Sequence, residues 1–206
     1  MQHGRVEEKF KDSMLVAALI TGIAAVHYYY MRDQWAEGLG SPTELRYVDW
    51  ILTVPLMVVE FALLTGVGMT KLFWLSVVML VTGYFGESGV TGVLDAQWWG
   101  AISGAAYFAM AYEVGCLRVF SDTAPSGAVG DALANAKGKI PAAGKMLQWF
   151  VLVGWAIYPL GYMMGTDGWY SGAVAALPLD MDIVYNIGDA INKIGFGMAV
   201  WTAARS

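Results

Sequence analysis

The sequence predicts an all-α, membrane-embedded bundle of helices, and three observations carry this. Of its 206 residues 57% are hydrophobic, with a mean hydropathy of +0.51. Only 14% are charged, where an ordinary soluble domain has about 25%. The apolar residues also fall into six runs, each of the ~20 residues that cross a bilayer as a helix. The runs are too long for barrel strands and lack their strict alternation.

The first run, roughly 12–33, follows the polar start MQHGRVEEKFKD and continues far past the apolar core of a cleavable signal. The second, 46–66, reads RYVDWILTVPLMVVEF and carries Arg46, Asp49 and Glu60. The third, 70–92, contains GYFGESG, and the fourth is 97–119. The segment 119–143, FSDTAPSGAVGDALANAKGKIPAAG, is rich in Gly, Ala, Ser and charge and reads as a long loop with the start of a helix. The fifth run, 144–165, contains WAIYPLGY, where Pro159 kinks the helix and opens room for a flat ligand. The sixth, 180–204, reads DMDIVYNIGDAINKIGFGMAVW and holds Asp189 and Lys193. No repeat or boundary interrupts the chain, so residues 1–206 form one transmembrane domain. One cysteine, Cys116, excludes a disulfide framework. The net charge of −5 gives no sign of a nucleic-acid partner, and no metal site is expected.

Charge sets the orientation. Arg5, Lys9, Lys11, Lys71, Arg118, Lys137, Lys139, Lys145 and Arg205 fall on one side. The opposite connections hold Arg32 and otherwise acids: Asp33, Glu37, Glu44, Glu87, Asp95, Asp167, Asp180 and Asp182. Cations mark the cytoplasmic face, which places both termini and the long loop inside.

Arg46 and Lys193 stand outside this tally. A charge at the bilayer centre costs about 2.5–3.5 kcal/mol, so several in two spans point to function. Arg46, Asp49 and Thr53 are spaced i, i+3, i+7 and share a face. Glu60 follows Asp49 by three turns, about 16 Å along the axis. Asp189 lies one turn before Lys193. A structural ion-pair network accounts for the cluster but gives no task to Glu60, whereas a ladder of titratable groups suits a proton relay. Trp50, Trp155, Tyr158, Tyr162 and Tyr185 lie at the depth of the cluster. From spacing alone this is an apolar pocket with one lysine.

RYVDWILTVPL, WAIYPLGY and VYNIGDAINKIGFG resemble the microbial rhodopsins, most closely the proteorhodopsin and xanthorhodopsin-like proton pumps, with support from TGIAAVHYYYMRDQW and GYFGESG. The resemblance covers nearly the whole chain. It implies that Lys193 binds all-trans retinal as a protonated Schiff base, that Asp49 is counterion and proton acceptor, and that Asp189 is the second counterion. By the same resemblance Arg46 gates the extracellular half, Asp49, Thr53 and Glu60 form the Asp-Thr-Glu set of outward pumps with Glu60 as donor, and His27 hydrogen-bonds the acceptor. Trp50, Trp155, Tyr158, Pro159 and Tyr185 are pocket walls. Met57 is the colour-tuning position and, being nonpolar, indicates green absorption. The chain is then a light-driven ion transporter rather than an enzyme, multi-pass in the inner (plasma) membrane with a cytoplasmic C-terminus. Its partners are the lipid bilayer and protons, with pentamers or hexamers typical of the family.

The family fold has seven helices and this chain offers six, so the first is expected to be missing by truncation, with Met1 an internal methionine. No paired glutamates form a proton-release group, and Asp180 and Asp182 read as solvated loop charges. The alternatives are a sensory rhodopsin, which Glu60 disfavours, and a truncated chain without transport activity.

Overall fold

A computed structural model describes residues 8–175, 177 and 180–205. Arg5, among the orienting cations, and Met1 lie outside the described residues. Those described form helices and no strands: α1 Lys11–Ala36, α2 Thr43–Thr65, α3 Thr70–Ser88, α4 Ala96–Glu113, α5 Ala128–Asn135, α6 Ile140–Trp149, α7 Ile157–Gly165, α8 Ser171–Val174 and α9 Met181–Ala204.

Helix boundaries follow local chemistry. α2 and α3 end on Gly66 and Gly89, whose positive φ of 72° and 64° stops a helix with a left-handed residue. α3 therefore ends before residue 92, and α4 stops at Glu113, where Gly115 turns the chain with φ 75°. α9 begins at the Asp180 N-cap, whose Oδ1 accepts from the Ile183 N–H.

α1 packs on α2, α2 on α3, α3 on α4, α9 on α1, α6 and α7, and α7 on α3 and α4, which closes a ring of helices. α2 is the most buried of these helices and turns Trp50, Val54, Met57, Val58, Phe61 and Leu64 into the core. The outer faces keep their apolar residues exposed: Leu15, Leu19 and Val26 on α1, Ile187, Ile191 and Ile194 on α9. Such a surface is that of a protein solvated by lipid.

Helices occupy each of the six apolar stretches, but by length and composition alone three of the described segments are long and apolar enough to cross a membrane: Lys11–Ala36, Thr43–Thr65 and Ile140–Gly165. α9 has the length, at 24 residues, but Asn186, Asp189, Asn192 and Lys193 dilute it. α3 and α4 are shorter, at 19 and 18 residues; α3 carries Lys71 and Glu87 near its ends, and α4 carries Gln97, Trp98, Trp99, Tyr107, Tyr112 and Glu113.

The expected kink lies upstream of Pro159. The rod α6–α7 passes through a π-helical turn, Phe150–Gly154, and resumes at Ile157. Pro159 has no N–H and crowds the carbonyl four residues back, that of Trp155, so regular helix cannot run through this point. Side chains take up the freed carbonyls. Tyr107 of α4 donates to those of Val151 (2.9 Å) and Leu152 (3.2 Å), and Asn192 Nδ2 of α9 to that of Gly154 (2.9 Å).

Candidate functional site

α2 and α9 face each other and supply the site. The spacing on α2 turns Arg46, Asp49, Thr53 and Glu60 inward, with exposures of 1%, 0%, 0% and 1%. On α9 the facing residues are Tyr185, Asp189, Asn192 and Lys193, none above 2%.

Lys193 Nζ donates to Asp49 Oδ2 across the gap and to Asp189 Oδ2 one turn back on its own helix. The two carboxylates differ in environment. Asp189 carries two further donors: Oδ2 also accepts from Tyr28 Oη and Oδ1 from Tyr158 Oη, both at 2.7 Å. Asp49 Oδ1 has no hydrogen-bond partner among the described residues. His27 Nδ1 is 3.6 Å from it and donates instead to the Ile23 carbonyl at 3.0 Å, so the expected hydrogen bond to Asp49 is replaced by a longer contact. The Thr53 hydroxyl donates to the Asp49 backbone carbonyl at 2.9 Å, one turn back.

Arg46 takes a different partner from the one its spacing suggests. Its Nη2 donates to Asp182 Oδ1, and its Nη1 is 3.5 Å from Glu87 Oε1. Asp182 also accepts from Ser41 Oγ at 2.8 Å, and Glu87 Oε2 from Tyr47 Oη at 3.0 Å. The guanidinium lies 4.5 Å from the centre of the Tyr185 ring. Asp182 and Glu87, read from sequence as connection charges, are held by the buried Arg46, with side-chain exposures of 19% and 10%. An arginine takes this role because its planar fork serves two carboxylates at once.

Glu60 stands apart. Neither carboxyl oxygen has a hydrogen-bond partner among the described residues, and the polar side chain that faces it is the buried Ser13 of α1.

Trp50 forms edge contacts with Tyr158 (4.9 Å) and Tyr185 (5.2 Å), and Trp155 stacks on Phe196. Beside them lies a largely apolar cavity of about 710 Å³ between α2, α3, α4 and α7. Trp50, Trp155, Tyr158 and Pro159 line it; Met57, Tyr185 and Lys193 are buried but are not among its lining residues. Chemically, the site is a buried amine on two carboxylates, a buried guanidinium on two more, and a separate unpaired carboxyl.

Sequence reasoning missed Tyr28, Asn192, Asp182 and Glu87. Asp182 carried a usable signal, since it precedes Asp189 by two turns and shares its face. So did Asn192, three residues after Asp189 on the same face; Tyr28 and Glu87 did not, each being drawn in by a partner on a different helix.

The family model described as bacteriorhodopsin-like protein matches residues 1–206. A green-light absorbing proteorhodopsin from Gamma-proteobacterium EBAC31A08 is 37% identical over 212 residues, 99% of this chain and 78% of that protein. A blue-light absorbing proteorhodopsin from Gamma-proteobacterium Hot 75m4 is 37% identical over 215 residues, with the same coverage of 99% and 78%. The crystal structure of blue light-absorbing proteorhodopsin from Med12 superposes with a TM-score of 0.75 at 35% identity, over 98% of this chain and 87% of that one. Xanthorhodopsin, a light-driven ion pump with dual chromophore, superposes with a TM-score of 0.76 at 26% identity, over 98% and 83%.

Proposed function

The chain belongs to the bacteriorhodopsin-like family, light-absorbing membrane transporters rather than enzymes, and from that premise we propose an outward, light-driven proton pump with all-trans retinal bound to Lys193 as a protonated Schiff base. The observation that carries this is Lys193 held on Asp49 and Asp189 while Glu60 lies buried and unpaired on the same face of α2.

The residues fit that group. Lys193 has two carboxylates to hold a positive nitrogen, and Tyr158, which donates to one of them, lines an apolar cavity of about 710 Å³ together with Trp50 and Trp155. When bound, retinal supplies light absorption and a change of shape at the Lys193 nitrogen. Asp189, with three donors already on its oxygens, is the fixed partner of Lys193. Asp49, with one oxygen open, accepts the Lys193 proton, and His27 at 3.6 Å adjusts it. Glu60 returns a proton from the inner side. Arg46, drawn outward by Asp182 and Glu87, separates Asp49 from the outer surface.

In this reading residues 1–206 are one domain of rhodopsin fold and its six helical rods are crossings. The chain spans 78% of the length of the proteorhodopsins it matches. The α5 end and the C-terminus face the cytoplasm of a plasma membrane, as the lysines there support. Met57 favours green absorption, and the family's ring-shaped oligomers extend to this chain.

Expression with added retinal, followed by a visible spectrum and external pH under illumination, tests the proposal. A visible band, lost in Lys193→Ala, with protonophore-sensitive acidification outside is expected. No band would refute retinal binding, and a band without acidification would favour a photosensor.

A further inference from the structure

The cytoplasmic loop carries a feature that the proton path through Asp49 and Glu60 does not use. α5 buries Val129 and Leu133 against α2, α4 and α6, in one apolar cluster with Leu64, Val114 and Leu147. Leu64 lies one turn beyond Glu60, so α5 sits across the end of α2 through which Glu60 must be reached from that side. The approach is close. A Cβ on Gly130 would fall 2.8 Å from Gly115 Cα, and one on Gly144 would fall 2.6 Å from Leu133 Cδ2.

One buried charge fixes the start of α5. Glu113, at the end of α4, is 4% exposed and pairs with Lys71 at the start of α3. Its carboxylate lies directly under Gly127, the α5 N-cap: a Cβ there would come 2.2 Å from Glu113 Oε2. The Gly127 N–H donates to the Tyr112 carbonyl at 3.0 Å. A carboxylate at a helix N-terminus is favoured by the helix dipole, and Lys71, whose side chain is 63% exposed, holds it from the water side. α3, α4 and α5 thus meet at a single ion pair.

We propose that α5 is a lid over the inward proton path, latched by the Glu113–Lys71 pair, and that loosening the latch admits water toward Glu60. The lid role rests on the pump reading; the latch itself does not.

The test uses Cys116, the single cysteine, which is free, 1% exposed and part of the apolar cluster that α5 covers. The full chain in lipid nanodiscs is treated in the dark, without retinal, with a water-soluble maleimide. Lys71→Gln is expected to speed Cys116 labelling severalfold, Lys71→Arg to leave it at the wild-type rate, and Gly127→Ala to speed it. Lys71 is exposed, so Lys71→Gln should keep the helical circular dichroism. Wild-type labelling in both Lys71→Gln and Glu113→Gln would overturn the latch. With retinal bound, illumination should speed labelling of the unmodified chain, and equal rates in light and dark would overturn the lid. Faster labelling of Lys71→Gln in a chain that takes up no retinal would support the latch while the pump reading fell.

Discussion

The Arg46 guanidinium donates to Asp182 on α9 although Asp49 lies three residues away on its own helix. Asp49 already has Lys193, while Asp182 and Glu87 together offer two outward carboxylates to the fork. In the proposed pump this anchor makes Asp182 a positioning residue for the outer half of the path.

Asp182→Ala should therefore lower stability by about 1.5–3 kcal/mol, the range for a hydrogen bond to a charged group. The loss stays below the ~3–5 kcal/mol of a fully broken buried pair because Glu87 remains beside Arg46. Arg46, freed on that side, is drawn inward, so protons should reach the outside later after a flash. Thermal loss of the visible band and a pH-indicating dye measure the two effects. Asp182→Glu should restore both.

Tyr28 and Tyr158 hold opposite oxygens of Asp189, each at 2.7 Å. Removing either hydroxyl by Tyr→Phe should cost about 1.5–3 kcal/mol. The double variant should depart from the sum by about 0.5–3 kcal/mol, since both bonds polarise one carboxylate. Thermal denaturation of the four proteins in the cycle gives the coupling. Strict additivity would show that the two hydroxyls do not act on a shared charge.

Legibility in the sequence followed the range of the interaction. The ladder Arg46, Asp49, Thr53 and Glu60 was readable because all four lie on one helix at regular spacing, and Asp189 and Lys193 are likewise one turn apart. Tyr28 sits in the run Tyr28–Tyr29–Tyr30, where spacing cannot choose which ring turns inward; contact with Asp189 chooses it. Asp182 reads as a loop charge because it falls in the first turn of α9, and only the fold shows Arg46 reaching it. The break in the fifth rod was legible through Pro159. The π turn before it was not, since its carbonyls depend on Tyr107 and Asn192 from other helices.

That π turn gives a further test. Asn192→Ala leaves the Gly154 carbonyl without its donor and should cost about 1–3 kcal/mol. Gly154→Ala should displace the same amide, because its new methyl would fall 2.0 Å from Asn192 Oδ1. The double variant should cost less than the sum, because each single change breaks the same bond. Thermal denaturation checks this, and a full sum would assign the two residues separate roles.

Glu60 gives the clearest opposition between stability and function. A buried carboxyl with neither oxygen bonded costs free energy that an apolar side chain of similar size would not. Glu60→Leu should raise stability by about 1–3 kcal/mol, the desolvation penalty of an unsatisfied group. In the proposed pump the same change removes the inner proton donor, so recovery of the ground state after a flash should slow. Glu60→Gln should also slow recovery, but without the gain in stability, because its amide stays buried and unpaired. Both variants should keep the visible band, since Glu60 lies three turns from Asp49. Unchanged recovery in the two variants would remove Glu60 from the proton path. A loss of stability in Glu60→Leu would show that the carboxyl is bonded in the working protein, with Ser13, the polar neighbour facing it, as the partner to test next.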